Sequence, residues 1–274
     1  VNRGRRTLVG AAGIVVALLF LFPTYWMLST AFTPSGDITT SKYNLIPLSL
    51  TFQHFVTAVQ KPFFPSYVRN SLFVTLAALL LAMVTGLLAA IPLARLKFRG
   101  RKGFMLLILV AQLAPFEALL VPYYLFMRNF KLDTSLTALV LIYFIFTLPF
   151  TVWTLRGFIN GIPEDLEQAA MVDGCSRWTA FWRVTFPLLG PGLVATSVYA
   201  FITAWNEYLY AFVFLQDNSR YTLPVWLATF QTAFGTDWGG SMAASAMFTI
   251  PVLVFFLIVQ RNLVAGITAG AVKG

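Results

Sequence analysis

The 274-residue chain is 58% apolar, carries charge on only 11% of its residues and contains 27 Phe. Those proportions leave too little polar surface to clothe a water-soluble globule, and they suit a protein whose outer surface meets lipid. A net charge of +9 would suggest nucleic acid as a partner of a soluble protein, but here the charge is sorted by loop, and the one cysteine, Cys175, excludes a disulfide framework within the chain.

Six apolar runs, near residues 8–30, 68–94, 104–127, 136–158, 191–215 and 242–260, are each able to cross about 30 Å of hydrocarbon as a helix. The expected fold class is an all-α membrane protein of six transmembrane helices, a single domain over residues 1–274. The first run follows Arg3, Arg5 and Arg6 and continues to Trp26 without a small-x-small cleavage site, so it reads as a retained helix rather than a signal peptide. With the N-terminus inside, thirteen Lys and Arg fall on the cytoplasmic side, among them Arg95, Lys97, Arg99, Arg101, Lys102, Arg156, Arg177 and Arg183, against six outside. The positive-inside rule then puts both termini in the cytoplasm.

The first external loop holds the sole histidine, His54, expected on an ordinary interfacial helix. One His builds no metal site by itself, and no metal is expected. In the second span Thr75, Ala78, Ala82, Thr85, Gly86 and Ala89 form a small-residue stripe that suits close helix contact, with Leu72, Leu76, Leu80, Leu87 and Ile91 on the side suited to lipid. The five basic residues from Arg95 to Lys102 most simply fix topology near anionic lipid, with contact to a cytoplasmic partner as the other reading. In the third span Glu117 follows Pro115, consistent with a re-entrant, watery break, and two roles are open for its carboxylate: a structural one, which is favoured, or a substrate pathway or gate residue. Pro23, Pro92, Pro115, Pro122, Pro149 and Pro251 each favour a kink.

Residues 159–190 form a cytoplasmic loop with the physics of a short exposed helix. Pro163 fits the first helical position; Glu164, Asp165 and Glu167 place negative charge at the positive end of the helix dipole; Gly174 supplies a permissive stop. Leu166, Ala169, Ala170 and Asp173 share one side, where two alanines allow close approach to a docking groove. Ser176 can cap a second helical stretch from Arg177 to Val184, whose Trp178, Phe181 and Trp182 could anchor the loop at the membrane interface before Pro187 and Pro191 redirect the chain. In the fifth span Thr196, Ala200, Thr203, Ala204, Glu207 and Ala211 fall on one helical face. A carboxylate at mid-membrane costs about 2.5 to 3.5 kcal/mol, so Glu207 needs a partner, a wet cavity or a proton. Two roles stay open for it: a pathway or gate residue together with Trp205, Asn206 and Tyr208, or an interhelical hydrogen bond that locks the bundle.

The loop resembles the EAA loop of the permease subunits of bacterial ABC importers, on Gln168-Ala169-Ala170, Asp173-Gly174, Val184 and Pro187-Leu188 at the family's spacing. Gln168 stands where that motif has Glu, and Glu167 precedes it. Either Glu167 takes over the ionic contact, or Gln168 makes a neutral hydrogen bond that weakens docking by about 1 kcal/mol. Pro149-Phe150 through Trp153, Arg156-Gly157-Phe158, then Ala204-Trp205-Asn206-Glu207-Tyr208 and the tail Gly266 to Gly274 are similar to the second permease of maltose-type carbohydrate importers.

The resemblance implies a type I importer fold in a bacterial inner membrane. It implies a non-catalytic translocation subunit for a sugar or sugar-derived solute such as a disaccharide, amino sugar or glycerol-phosphate compound. The implied partners are a homologous second permease, two ATP-binding subunits, an extracytoplasmic solute-binding protein and membrane lipid, with no nucleic acid. No Gly-x-x-x-x-Gly-Lys-Ser/Thr stretch occurs in the sequence, so ATP and Mg are expected on the partner ATPases and no cofactor on this chain. Glu164, Glu167, Gln168, Ala169, Ala170, Asp173, Gly174 and Pro187 are the expected ATPase-coupling residues. The tail residues Thr268, Gly270 and Lys273 reach the ATPase by resemblance, or fray as termini do. The rival classes are a proton-coupled secondary transporter using Glu207 and an intramembrane enzyme pairing Glu117 with Glu207.

Overall fold

The computed structural model describes residues 3–38, 46–47, 49–233 and 235–271, with side chains from residue 8 to residue 260. In chain order the helices are α1 (Arg3–Phe32), α2 (Ser35–Ile38), α3 (Gln53–Gln60), α4 (Phe64–Arg95), α5 (Arg101–Gln112), α6 (Leu120–Asn129), α7 (Leu136–Gly161), α8 (Glu164–Val172), α9 (Arg177–Ala180), α10 (Phe186–Leu188), α11 (Gly190–Trp205), α12 (Leu209–Phe214), α13 (Leu223–Ala228) and α14 (Trp238–Ala271). Strands β1 (Gln231–Thr232) and β2 (Gly235–Thr236) make one small antiparallel hairpin. Four helical stretches, Leu8–Phe32, Phe64–Arg95, Leu136–Gly161 and Trp238–Gln260, are long and apolar enough to cross a membrane. The number rises to as many as six if each of two bent pairs counts as one span.

Among the described residues the fold is thus all-α apart from that hairpin, and two expected spans are interrupted, the third in line with the break read at Pro115 and the fifth against expectation. The third breaks after Gln112 and resumes at Glu117 with an 89° bend. The fifth ends at Trp205 and restarts at Leu209. Prolines explain only the first: Pro115 lies in the gap, whereas Pro23, Pro92, Pro149 and Pro251 are carried inside continuous helices.

The chain divides into two compact units. In one, residues 1–65 and 226–251, Phe32 at the end of α1 packs on Phe52 and Phe55 beside α3. His54 is buried on α3: its Nε2 lies 2.9 Å from the Thr33 carbonyl oxygen, and Gly239 leaves room for the ring, since a Cβ there would come within 2.2 Å of it. Lys61 sits over the Phe230 ring, 3.4 Å from its centroid, and donates to Thr229 Oγ1 at 3.1 Å. Burial pushes the Lys61 ammonium pKa down, and Asp237 partly offsets this. The apolar stretch of α1 is unburied, which leaves Leu8 to Phe22 free to meet lipid or another chain.

The other unit comprises residues 66–225 and 252–274. The small-residue stripe of α4 is its spine: Thr75, Ala78, Ala82 and Gly86 are buried, and a Cβ at Gly86 would lie 2.5 Å from Thr151 Cγ2 of α7. Across α7 lies α11, approached so closely that a Cβ at Gly192 would lie 2.6 Å from Phe158 Cγ. Small residues let these backbones meet where a larger side chain would hold them apart. Leu76 and Leu80 are exposed as expected, but Leu87, assigned to the lipid side, is 7% exposed and packs with Ala90, Ala94, Leu155 and Phe181. Near its C-terminal end α4 is therefore covered on a second side.

Candidate functional site

Helix α8 is set up by local chemistry. Pro163 is its N-cap, one position earlier than expected, with φ −56° and ψ 131°; Glu164, Asp165 and Glu167 occupy the first turn. At the other end Gly174 takes φ +93°, a left-handed conformation that glycine adopts without steric cost. The Cys175 amide donates to Ala170 O at 3.0 Å and the Gly174 amide to Met171 O at 3.1 Å, the paired bonds of a Schellman stop. Immediately afterwards Ser176 Oγ accepts from the Thr179 amide at 3.2 Å and caps α9.

None of the side chains of α8 is buried. Asp165, Gln168, Ala169 and Val172 follow helical spacing on an exposed face, and Val172 at 88% exposure is the most exposed large apolar side chain there. Leu166 and Asp173 are exposed too, and Ala170 is half-buried. Glu167 faces the other way. Its Oε1 accepts from Arg95 Nε at 2.8 Å and from Thr185 Oγ1 at 2.5 Å. Arg95 Nη2 donates to Ile162 O at 3.1 Å, and Arg95 Nη1 lies 3.8 Å from Glu164, whose carboxylate is 60% exposed.

Of the two ways the Gln168 position could be served, this arrangement occupies Glu167 within its own chain and leaves Gln168 facing outward. Arg95 has a dedicated role in the site, which the topology reading of the basic cluster had not distinguished. Phe181, expected at the membrane interface, is instead 4% exposed in the core with Leu87 and Leu155, while Trp178 remains 60% exposed. Phe181 and Thr185 are the first and last residues of a π-helical turn, and both are buried. Pro187 is exposed just beyond it.

Glu207 sits in the gap between α11 and α12, not within a continuous helix. Its carboxylate accepts from Tyr143 Oη at 2.5 Å, from the Tyr210 amide at 2.8 Å and from the Ala211 amide at 3.1 Å. It thereby satisfies two amides at the start of α12 and joins that helix to α7. The other residues of that signature go elsewhere. Trp205 is 1% exposed and stacks on Phe201; Asn206 is exposed, its Nδ2 donating to Ile202 O at 2.8 Å; Tyr208 is 39% exposed and stacks on Phe212. Ser71, Thr75, Tyr143, Glu207 and Thr222 line a crevice beside the gap that is too narrow to admit water.

Glu117 opens a 3-10 turn directly after the third-span break and is exposed. The carbonyl of its neighbour Phe116 accepts from Tyr210 Oη at 2.8 Å. Thr268 and Gly270 lie on the backbone of α14, while the Thr268 side chain and all of Lys273 lie outside the described residues. Among the described residues no three His, Cys, Asp or Glu side chains are gathered to hold a metal.

Arg95, Thr185, Tyr143 and Val172 are the functional candidates that sequence reading missed. Neither the break that lets Glu207 accept from the Tyr210 and Ala211 amides nor the partners Arg95 and Tyr143 had a local signal.

The fold has known counterparts. Residues 82–269 match the family described as binding-protein-dependent transport system inner membrane component. The chain is 47% identical to the diacetylchitobiose uptake system permease protein of Streptomyces coelicolor over 95% of each. It is 34% identical to the trehalose/maltose transport system permease protein of Thermococcus litoralis over 98% of each. A chain in the crystal structure of a bacterial ABC transporter involved in the import of the acidic polysaccharide alginate has the same fold, with a TM-score of 0.79 over 95% of this chain and 98% of that one, at 21% identity. By the extent of the family match and the identity to these relatives, this chain belongs to the binding-protein-dependent transport system inner membrane components.

Proposed function

We propose that this chain is one permease half of an ATP-driven sugar importer, and that α8 is the element through which partner ATPase subunits drive it. The observation that carries the reading is the outward face of α8: Gln168, Ala169 and Val172 stand exposed on a helix with a defined start and stop, next to a bundle that anchors its opposite face. An exposed Val beside Ala and Gln, with acidic residues on one flank, suits a protein groove better than water. On this reading ATP is bound and hydrolysed by the partners, and closure of the ATPase pair moves α8. Transport follows if closed and open pairs favour different bundle arrangements, because a ligand shifts an equilibrium only through differential affinity. A second permease, two ATP-binding subunits and an extracytoplasmic solute-binding protein complete the assembly. The chain lies in a bacterial inner membrane with both termini in the cytoplasm.

For the solute we propose an acetylated amino-sugar disaccharide. The support is the relative named for diacetylchitobiose uptake, with 47% identity over 95% of both chains.

Uptake of labelled diacetylchitobiose by cells or proteoliposomes carrying the assembled transporter tests both parts. Uptake should require ATP, be competed by unlabelled diacetylchitobiose more strongly than by maltose or trehalose, and vanish in Gly174→Arg while that variant still inserts. Stronger competition by maltose would overturn the solute. Normal ATP-dependent uptake by Gly174→Arg would overturn coupling through α8.

A further inference from the structure

A helix that transmits force needs a grip on the bundle as well as a face for its driver. No side chain of α8 is fully buried, only Ala170 and Met171 offer half-buried apolar surface, and a single carboxylate oxygen adds a directed polar grip. Glu167 Oε1 receives both Arg95 Nε at 2.8 Å and Thr185 Oγ1 at 2.5 Å. Arg95 is the last residue of α4, and its side chain is only 10% exposed. Its other bond, to Ile162 O at 3.1 Å, holds the residue that joins α7 to α8. Thr185 is fully buried at the end of the π-helical turn that leads through α10 into α11. One oxygen on α8 is thus tied to the end of α4 and to the approach to α11, and Arg95 itself is tied to the α7–α8 joint. Charge-assisted bonds of this kind are shorter and stronger than neutral ones, and the fork of an arginine fixes direction as well as distance.

We propose that Arg95, Glu167 and Thr185 form an internal latch that carries the tilt of α8 to α4 and to the π-helical turn ahead of α11, with Glu167 acting inside this chain rather than on the ATPase. The three are positioning residues for transport, and the inference rests on the coupling function proposed above. Removing Glu167 or Arg95 takes from the other its nearest charged partner and frees α8 to move without the bundle. Conservative replacements should retain part of the linkage, since an oxygen acceptor or a cation is still present.

The test reads solute uptake, ATP hydrolysis and co-purification of the ATPase subunits together, on the assembled transporter in proteoliposomes. Glu167→Ala should assemble at the parental level, because the outward face is untouched. It should lower the solute moved per ATP hydrolysed by about tenfold, the scale of an energetic coupling between sites. Arg95→Met should do the same, and Glu167→Gln should fall between it and the parent. If Glu167→Ala does not accumulate, Glu167→Gln carries the test, with a lowered ratio expected and an unchanged one overturning the latch. An unchanged ratio in Glu167→Ala and Arg95→Met overturns it as well. Loss of the ATPase subunits from Glu167→Ala overturns it by making Glu167 an ATPase contact. The coupling function fails by a different result, normal uptake in Gly174→Arg, so the two failures are read in different variants.

Discussion

Glu167 and Glu207 each gather several donors onto one carboxylate near a helix end, and the donors differ in kind. Glu167 is held by a guanidinium and a hydroxyl, on a helix whose other face is exposed. Glu207 is held by a phenol and two backbone amides, beside the core that contains Tyr143, Ala204, Tyr210 and Ala211. A charge pair at the edge of a bundle survives a change of angle, because its attraction reaches beyond hydrogen-bond distance. Bonds to neutral donors lose most of their strength once bent or stretched. On the proposed coupling role the first region suits a lever, whereas the second fixes α12 to α7.

Glu207→Ala should give the largest effect of the variants that break this contrast. It strands the Tyr143 hydroxyl and two amides, a loss of about 3 kcal/mol or more, readable as a lower unfolding midpoint in detergent. Glu207→Gln keeps an acceptor oxygen and should retain near-parental uptake and solute-stimulated ATP hydrolysis. Loss of uptake in a Glu207→Gln protein of parental stability would return Glu207 to the pathway role and end the contrast.

A smaller loss sharpens the comparison from the packing side. Thr151 is fully buried and donates to Thr147 O at 2.8 Å, so it cannot yield easily to a side chain at position 86. Gly86→Val should therefore cost about 1 to 3 kcal/mol by overpacking α4 on α7. Parental stability in that variant would show that the α4–α7 approach is looser than the structure has it.

The smallest effect is expected on the lever side. Ser176→Ala removes the cap of α9 and should cost about 1 kcal/mol, with the measurable change in uptake rather than in accumulation of the protein. A fall in accumulation with unchanged uptake per molecule would place that segment with the rigid region instead.

Local signals sufficed where the causes are local. The apolar runs announced the membrane helices, and the acidic first turn, Gly174 and Ser176 announced the start and stop of α8 and the cap of α9, because dipole, capping and left-handed backbone act within a few residues. The 89° bend at the third span was legible in Pro115 for the same reason. The gap after Trp205 was not, since no Pro or Gly marks it and the assumption of one continuous helix put Glu207 in mid-span.

Sequence by itself determined which segments are apolar, where charge is excluded and where helices can begin or end, all properties of neighbouring residues. Only the tertiary structure decided that Arg95 meets Glu167 across 72 positions and that Tyr143 meets Glu207 across 64. It also buried Phe181 against Leu87 and Leu155, at the start of a π-helical turn that no residue in Phe181–Thr185 demands. Such pairings depend on how α4, α7 and α11 pack, and packing follows from the shapes of many side chains acting together rather than from any one of them.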